Sequence, residues 1–313
     1  MRNFRSIHIC LVIFCLTFSS ANSSENEWES INSSLTVGVK TGHITFQIGG
    51  LVSDGERLGR LHFPISELKF PTNFEIAQLS VNIKARTGWD VLFQMETNVS
   101  KDAGTLEDRD WLAPGRLDTY SDTHTSLSSK EFIFETAKEL TPIKYSSKSL
   151  YNKFGFGLLG QFYKYTGFNT IQSYPSSDLD TIFLDGDTIK FDFSQLTPFA
   201  SYLVSHNLFG NVNVDLKLLF SPLMFIRDKD QHLLRNKHST SKTRGWFFHT
   251  SLNMLWKLNQ SFAIFTQTSF QKFEANGNQT QNFEDNPDLD ELKVKVKHLG
   301  QQINLTLGLN YQF

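Results

Sequence analysis

The residues best suited to chemistry in this 313-residue chain lie in two short acidic segments. In the first, LEDRDW, Asp108 and Asp110 are separated by one residue. Alternate side chains of an extended chain project from the same face, so both carboxylates would lie on one side. They would then be close enough to repel each other, to share a proton or to bind a water molecule. The segment taken alone is also typical of a solvated loop.

The second segment, RDKDQH, carries Asp228, Asp230 and His232 at positions i, i+2 and i+4. In an extended chain these three side chains share a face. The opposite face would carry Arg227, Lys229 and Gln231. A carboxylate beside an imidazole raises its basicity and fixes its orientation, as a general base requires. A hydrated loop with an incidental histidine and a metal site both remain open, although no second cluster has the ligand spacing that demands zinc.

A third segment, YSDTHTS, places Asp122 and His124 among several hydroxyl groups. A serine, histidine and aspartate triad can be imagined there. However, nothing like the sharp strand-to-helix turn that carries a catalytic serine surrounds these residues, so we do not expect nucleophilic catalysis.

The elements that must position these residues have a period of two. In NVNVDLKLLF, SVNIKA, RGWFFHTSLNMLWKL and the final INLTLGLNYQF, apolar residues alternate with small or polar ones. Such alternation predicts β-strands with one apolar and one polar face. The chain also carries 29 Phe, 8 Tyr and 5 Trp, and aromatic strand ends resemble the girdles of membrane barrels.

Between the predicted strands lie polar segments of unequal length. We interpret 97–129, 169–187, 227–244 and 274–292 as long loops, and segments such as 257–261 as tight turns. Long loops at one end and short turns at the other are typical of an outer-membrane barrel. A secreted soluble β-sandwich would alternate too, but a barrel must pair its last strand with its first, and the chain ends on a strand pattern.

The N-terminal segment resembles a secretory signal peptide. Arg2 and Arg5 precede an apolar run, and small residues follow it, so we expect cleavage after Ala21. Both cysteines, Cys10 and Cys15, would be removed, which excludes a disulfide framework in the mature chain. We therefore expect a signal peptide at 1–21 and one barrel domain at 22–313. The net charge of −2 argues against a nucleic-acid partner.

Taken together, these motifs resemble the omptins, ten-stranded outer-membrane aspartyl endopeptidases of Gram-negative bacteria. SLTVGVKTG is similar to the family's first strand, LEDRDW to its first acidic motif, and EFIFET to the strand after the following loop. RDKDQH resembles its Asp/His motif, and LGLNYQF its closing strand. The terminal Phe313 also resembles the sorting signature of outer-membrane proteins. The resemblance implies an all-β, transmembrane, antiparallel up-and-down β-barrel with strands extended above the membrane.

The resemblance also implies roles for the site residues. Asp108 and Asp110 would form a carboxylate couple, and Asp230 and His232 a dyad. A water held between His232 and Asp108 would attack the scissile carbonyl, with His232 taking its proton. No metal, cofactor or covalent enzyme intermediate is implied.

Two departures from the family bear on substrate and lipid. Asp228 matches an acidic residue of the substrate pocket, but Phe46 replaces a second one, so hydrolysis is implied more directly than cleavage next to basic residues. Many omptins also need lipopolysaccharide, which a Tyr, Glu and Arg motif on the outer wall holds. The corresponding stretch, GQFYKYTGF, lacks the Glu and Arg. We therefore expect Lys242 or Arg244 to contact a lipid phosphate instead.

We therefore predict a monomeric outer-membrane endopeptidase that acts on polypeptides at the cell surface. The main alternative is a non-proteolytic barrel that serves as an adhesin or small transporter. A ten-stranded barrel is too narrow for a general porin, which favours the enzyme. A secreted soluble sandwich is the third hypothesis.

Overall fold

The computed structural model describes residues 28–49, 63–140, 143–145, 148–283 and 292–312. These residues are almost entirely antiparallel strand. The predicted signal peptide and Phe313 lie outside the described residues. The strands are β1 (Trp28–Gly49), β2 (Ser66–Pro71), β3 (Phe74–Ala85), β4 (Trp89–Asn98), β5 (Asp102–Ala113), β6 (Arg116–Glu139), β7 (Ile143–Tyr145), β8 (Lys148–Ser173), β9 (Ile182–Asn207), β10 (Val212–His232), β11 (Lys237–Lys257), β12 (Phe262–Phe283) and β13 (Leu292–Gln312), and a 3₁₀ turn spans Leu233–Arg235.

The strands close into a ring. Neighbouring strands pair in the order β1, β3, β4, β6, β8, β9, β10, β11, β12 and β13, and β13 pairs again with β1. At one end of the barrel, β2 and β5 take the place of β3 and β4 between β1 and β6. The ring therefore has ten strands at both ends. The predicted ten-stranded antiparallel barrel is confirmed.

The apolar face of the strands points out of the ring. On β13, Ile303, Leu305, Leu307 and Leu309 are 46–57% exposed, whereas Thr306 between them is buried. Similar exposed apolar residues on the neighbouring and opposite strands include Leu35, Val37, Val39, Leu216, Leu218, Phe220, Leu252 and Met254. A soluble sandwich would bury this face against a core. The outward apolar belt is instead the arrangement of a transmembrane barrel.

The four segments predicted as long loops are mainly strands, so that interpretation is wrong. Residues 116–139 run as one strand, β6, whose buried and exposed residues alternate along its length. Above the membrane both faces of a strand can be polar. The alternation of apolar and polar residues is then lost from the sequence, although the backbone continues as a β-strand. We call this end of the barrel the extended end; the opposite end carries short connections at 86–88, 208–211 and 258–261.

The described interior has two layers, an aromatic one and a polar one that surrounds an interior cavity at the level of the belt. Toward the extended end, an aromatic layer crosses the lumen, with the rings of Phe70 and Phe191 stacked 4.1 Å apart. At belt level the interior is polar, and buried Lys40 forms ion pairs with Glu96 and Glu131. Among the described residues, no helix is long and apolar enough to cross a membrane.

Candidate active site

Both acidic motifs lie on strands that rise to the extended end. On β5, Asp108 and Asp110 share the inward face with buried Leu106, while Arg109 turns the other way into ion pairs with Glu107 and Glu67. On β10, Asp230 lies five residues beyond the belt residue Phe225, about 17 Å along the strand. The predicted site therefore stands beyond the apolar belt.

The ring brings the two motifs together. The pKa of Asp108 is raised to about 7, chiefly by burial and then by the negative charge of Asp110. The charges of His232 and Arg235 act in the opposite direction, and Asp230 adds to the rise. A carboxyl group on β5 thus interacts with charged groups on β10 and its following turn, because both strands line the same lumen.

The Asp/His pair forms a hydrogen bond. His232 Nε2 lies 3.1 Å from Asp230 Oδ2; the aspartate is fully buried and the histidine is 15% exposed. Burial alone would raise the pKa of Asp230, but the charge and hydrogen bond of His232 hold it below the usual value. An ionised Asp230 can only accept, so Nε2 carries the proton and Nδ1 of a neutral His232 keeps its lone pair.

Two carboxylate oxygens in this cluster have unused acceptor capacity. Asp108 Oδ1 and Asp230 Oδ1 are buried and have no hydrogen-bond partner among the residues that the structure describes. Buried polar atoms of this kind bind a water or a ligand donor. The arrangement can therefore hold a water next to the imidazole.

Asp228 lies on the same face of β10, two residues deeper than Asp230. Its Oδ1 is buried and has no hydrogen-bond partner among the described residues, whereas its Oδ2 has close polar neighbours. His298 Nε2 on β13 is 2.9 Å from Asp228 Oδ2, and both side chains are fully buried. The Ser241 hydroxyl donates a hydrogen bond to the same carboxylate oxygen. His298 Nδ1 is 3.1 Å from Thr243 Oγ1. The predicted pocket acid is therefore part of a buried polar cluster.

Phe46 belongs to the aromatic layer beneath the site. It is fully buried, and its ring centroid is 4.7 Å from that of its cross-strand neighbour His298. The sequence interpretation missed His298. The signal for it was present, since Val294, Val296 and His298 continue one inward-facing alternation on β13.

The third polar segment does not assemble a triad. On β6, Ser121 is buried inside, whereas His124 is exposed on the outer face. Asp122 accepts a hydrogen bond from the Tyr120 hydroxyl at 2.7 Å. The strand geometry thus separates the serine from the other two groups.

Lys242 and Arg244 lie on the outer wall. Both side chains are exposed on β11 and line a groove with Phe162 and Arg227. The Arg244 guanidinium lies 5.6 Å from the Phe225 ring centroid. Positively charged side chains therefore lie beside an apolar surface at the edge of the belt.

The described ranges hold no group of three or more His, Cys, Asp or Glu side chains arranged to bind a metal ion. Asp230 lies beside His232, and Asp228 lies beside His298.

A closed ten-stranded barrel with an outward apolar belt, carrying acidic and imidazole groups beyond it, defines a membrane β-barrel with an enzyme-like site. The model of the omptin family matches residues 30–313. The chain therefore belongs to the omptin family and is a β-barrel protein of the outer membrane. Family membership supports its assignment as an outer-membrane protease.

A solved structure agrees on the fold. The outer-membrane protease OmpT from Escherichia coli matches with a TM-score of 0.74 at 16% identity, covering 94% of this chain and 100% of that one. The translocator domain of the autotransporter NalP from Neisseria meningitidis matches with a TM-score of 0.39 at 7% identity, covering 99% of this chain and 96% of that one. No curated protein sequence gives a significant match.

Proposed function

We propose that this chain is an outer-membrane endopeptidase that hydrolyses peptide bonds with a water activated by His232 and Asp108. The observation that carries the proposal is the convergence of two acidic motifs from β5 and β10 on one partly buried site. Asp230 orients His232 through the 3.1 Å hydrogen bond, and Asp110 lies beside Asp108.

In the proposed reaction, Asp108 accepts a hydrogen bond from the water and positions it for attack. The water oxygen bonds to the scissile carbonyl carbon, and its proton passes to Nδ1 of His232. The carbonyl oxygen becomes an anion. As the carbon–nitrogen bond breaks, the imidazolium returns the proton to the leaving amine. Asp230 stays ionised throughout and stabilises the imidazolium, so the chain itself forms no covalent bond to the substrate.

The aromatic layer argues against the alternative of a small transporter. Phe46, Phe70 and Phe191 are fully buried and pack against one another across the lumen. A solute path through this level would require the rings to separate. The layer instead provides a rigid floor for a site above it.

The proposal is tested by refolding the protein in detergent with lipopolysaccharide and offering it a random peptide library. Cleavage by the wild type is expected to fall by roughly 10²–10⁴-fold in His232→Ala and in Asp108→Ala. Gln231→Ala, next to the histidine on the same strand, is the matched control and should retain activity. Refolding of each variant is checked by its heat-modifiable migration on a gel.

Equal cleavage by wild type, His232→Ala and Asp108→Ala would refute the mechanism. A wild type that folds and leaves every peptide intact would favour the adhesin alternative.

We further propose that the outer-wall groove at Lys242 and Arg244 binds the phosphate of an outer-membrane lipid. Arginine and lysine suit phosphate recognition, and the Phe162 and Phe225 rings offer apolar surface for acyl chains. The test compares activity in detergent with and without lipopolysaccharide, for wild type and for Lys242→Gln/Arg244→Gln. We expect the lipid to activate the wild type more than the double variant; equal activation would contradict the site.

A further inference from the structure

We propose that the interior cavity at the level of the belt binds a linear organic dication, a chain with an ammonium group at each end. The cavity has a volume of about 430 Å³, within the range of roughly 300–1,000 Å³ that small-molecule sites occupy. The aromatic layer separates it from the proposed active site, so this inference does not depend on proteolysis.

The first observation is that the cavity wall carries more negative than positive side chains. Its six carboxylates belong to Asp90, Glu96, Glu131, Glu135, Glu139 and Asp215, and its three ammonium groups to Lys84, Lys153 and Lys217. Buried Lys40, which forms ion pairs with Glu96 and Glu131, is a fourth cation. Six negative and four positive charges leave two negative charges in excess among the described residues, when all of them are ionised and His249 is neutral.

One of the two excess charges lies toward the short connections, at Asp215 on β10. Lys153 and Lys217 are close enough to Asp215 for their charges to interact with it. Each of them, however, forms its ion pair with another carboxylate, Lys153 with Asp90 and Lys217 with Glu135. Asp215 itself forms no ion pair within the described part of the chain, so its carboxylate can bind a cation from outside.

The other excess charge lies deeper, close to the aromatic layer. There the single ammonium group of Lys40 is shared between Glu96 and Glu131, at 3.1 Å from the latter. Both carboxylates line the cavity, and the side chain of Glu131 is 10% exposed. Two carboxylates that share one ammonium group can attract a second.

The spacing of these two places determines the length of the ligand. The ion pair of Glu135 with Lys217 marks a common level on β6 and β10. Glu131 lies four residues from Glu135 toward the extended end, and Asp215 lies two residues from Lys217 toward the short connections. Six residues of strand span roughly 20 Å, and less along the barrel axis because strands tilt. A single metal ion cannot contact both places, whereas a linear dication can.

The wall beside Asp215 offers acceptors for an ammonium group. Asp215, Asn253, Gln267 and Thr306 are successive cross-strand neighbours, and all four line the cavity. Thr306 is 2% exposed, and neither its Oγ1 nor Oδ1 of Asn253 has a hydrogen-bond partner among the described residues. The same is true of Oδ1 of buried Asp90. An ammonium group has three donors and no acceptor, so it matches this unused capacity.

The ligand would enter from the short connections, the periplasmic end of an outer-membrane barrel. At that end Lys84 and Glu139 line the cavity with side chains 30% and 27% exposed. A dication loses hydration on entering, and the two excess negative charges compensate for that loss. An anion would add to the excess, and a neutral molecule would leave it unbalanced.

The experiment measures binding to the refolded protein in a nonionic detergent by isothermal titration calorimetry. Lipopolysaccharide is left out, because its phosphates would themselves bind ammonium groups. The probes are α,ω-diaminooctane, the shorter α,ω-diaminobutane, and α,ω-aminooctanol, which has the length of the first but a single ammonium group. We expect diaminooctane to bind more tightly than either of the others by roughly tenfold, since it alone forms both charged contacts.

Asp215→Asn removes one excess charge, so the affinity for diaminooctane should fall by roughly tenfold. Asn253→Lys is a second variant in case the first does not fold. It keeps Asp215 and places a lysine opposite it on β11, whose ammonium group should take the place of the ligand. Asp110→Asn is the matched control, because it removes a carboxylate of the proposed active site and should leave binding unchanged. Folding of each variant is checked by heat-modifiable migration.

Four results would overturn the inference. They are a wild type that does not bind diaminooctane, equal binding of diaminooctane and either other probe, and unchanged binding in a folded Asp215→Asn or Asn253→Lys variant. The fourth is loss of binding in Asp110→Asn, which would place the dication in the acidic cleft of the extended end.

Discussion

At the residue scale, the defining feature is a carboxyl group whose protonation depends on its neighbours. Asp108 is partly buried, with its Oδ1 shielded from solvent, lies beside Asp110 and also interacts with His232 on another strand. Burial and a like charge both favour the neutral form, so the pKa of Asp108 is about 7. A group that titrates near neutral pH within a cluster of charges is typical of a functional site.

Replacement of Asp110 by Asn should shift the acid limb of the pH–activity profile. If ionised Asp108 positions the water, wild-type kcat/KM rises with pH through about 7, the pKa of Asp108. Asp110→Asn removes the like charge and lowers that pKa, so activity should persist to lower pH. The measurement is kcat/KM between pH 4 and pH 9.

Glu107→Gln is the control, because Glu107 faces away from the site and is paired with Arg109. An acid limb that stays in place in Asp110→Asn would assign the titration to another group.

At the element scale, long strands hold the groups of the barrel interior together. Lys40 on β1 forms ion pairs with Glu96 on β4 and Glu131 on β6, and Gln161 on β8 donates to Glu131 at 2.6 Å. The network therefore links four strands below the aromatic layer. A buried ion pair contributes modestly to stability when intact, but removal of one partner leaves an uncompensated charge.

Lys40→Met should therefore destabilise the barrel by about 3–5 kcal/mol, because two buried carboxylates lose their cation. The free energy of unfolding is measured by urea titration of refolded protein, with tryptophan fluorescence as the signal. In the triple variant Lys40→Met, Glu96→Gln, Glu131→Gln, most of the loss should be recovered. A triple variant as unstable as the single one would show that packing, and not charge, accounts for the effect.

At the scale of the whole molecule, the outward belt makes stability depend on the membrane. Leu307 is 56% exposed near the centre of the apolar stretch of β13, where a charged residue would have to lie in lipid. Leu307→Arg should cost about 2–4 kcal/mol of unfolding free energy in vesicles. Asn304 lines the interior cavity, so Asn304→Arg is the matched inward control and should cost clearly less. Similar costs at both positions would contradict the inside–outside assignment of β13.

The sequence pattern determined the strand period and the common faces of each acidic motif, and the resemblance to the omptins implied the ring of ten strands. It also placed Asp228, Asp230 and His232 on one side of β10, because a period of two is a local property of the backbone. The resemblance implied that strands extend above the membrane, but the alternation pattern did not show how far, since water surrounds both faces there and the apolar alternation is lost.

Only the tertiary structure decided which groups meet across the lumen. Asp228 and His298 are 70 residues apart in the chain, and their contact depends on closure of the ring through β11, β12 and β13. The same closure places Phe46 in contact with His298 and brings Asp108 close enough to His232 for their charges to interact. Local pattern assigns a side chain to a face, but distances between faces of different strands follow from the register and tilt of the whole barrel.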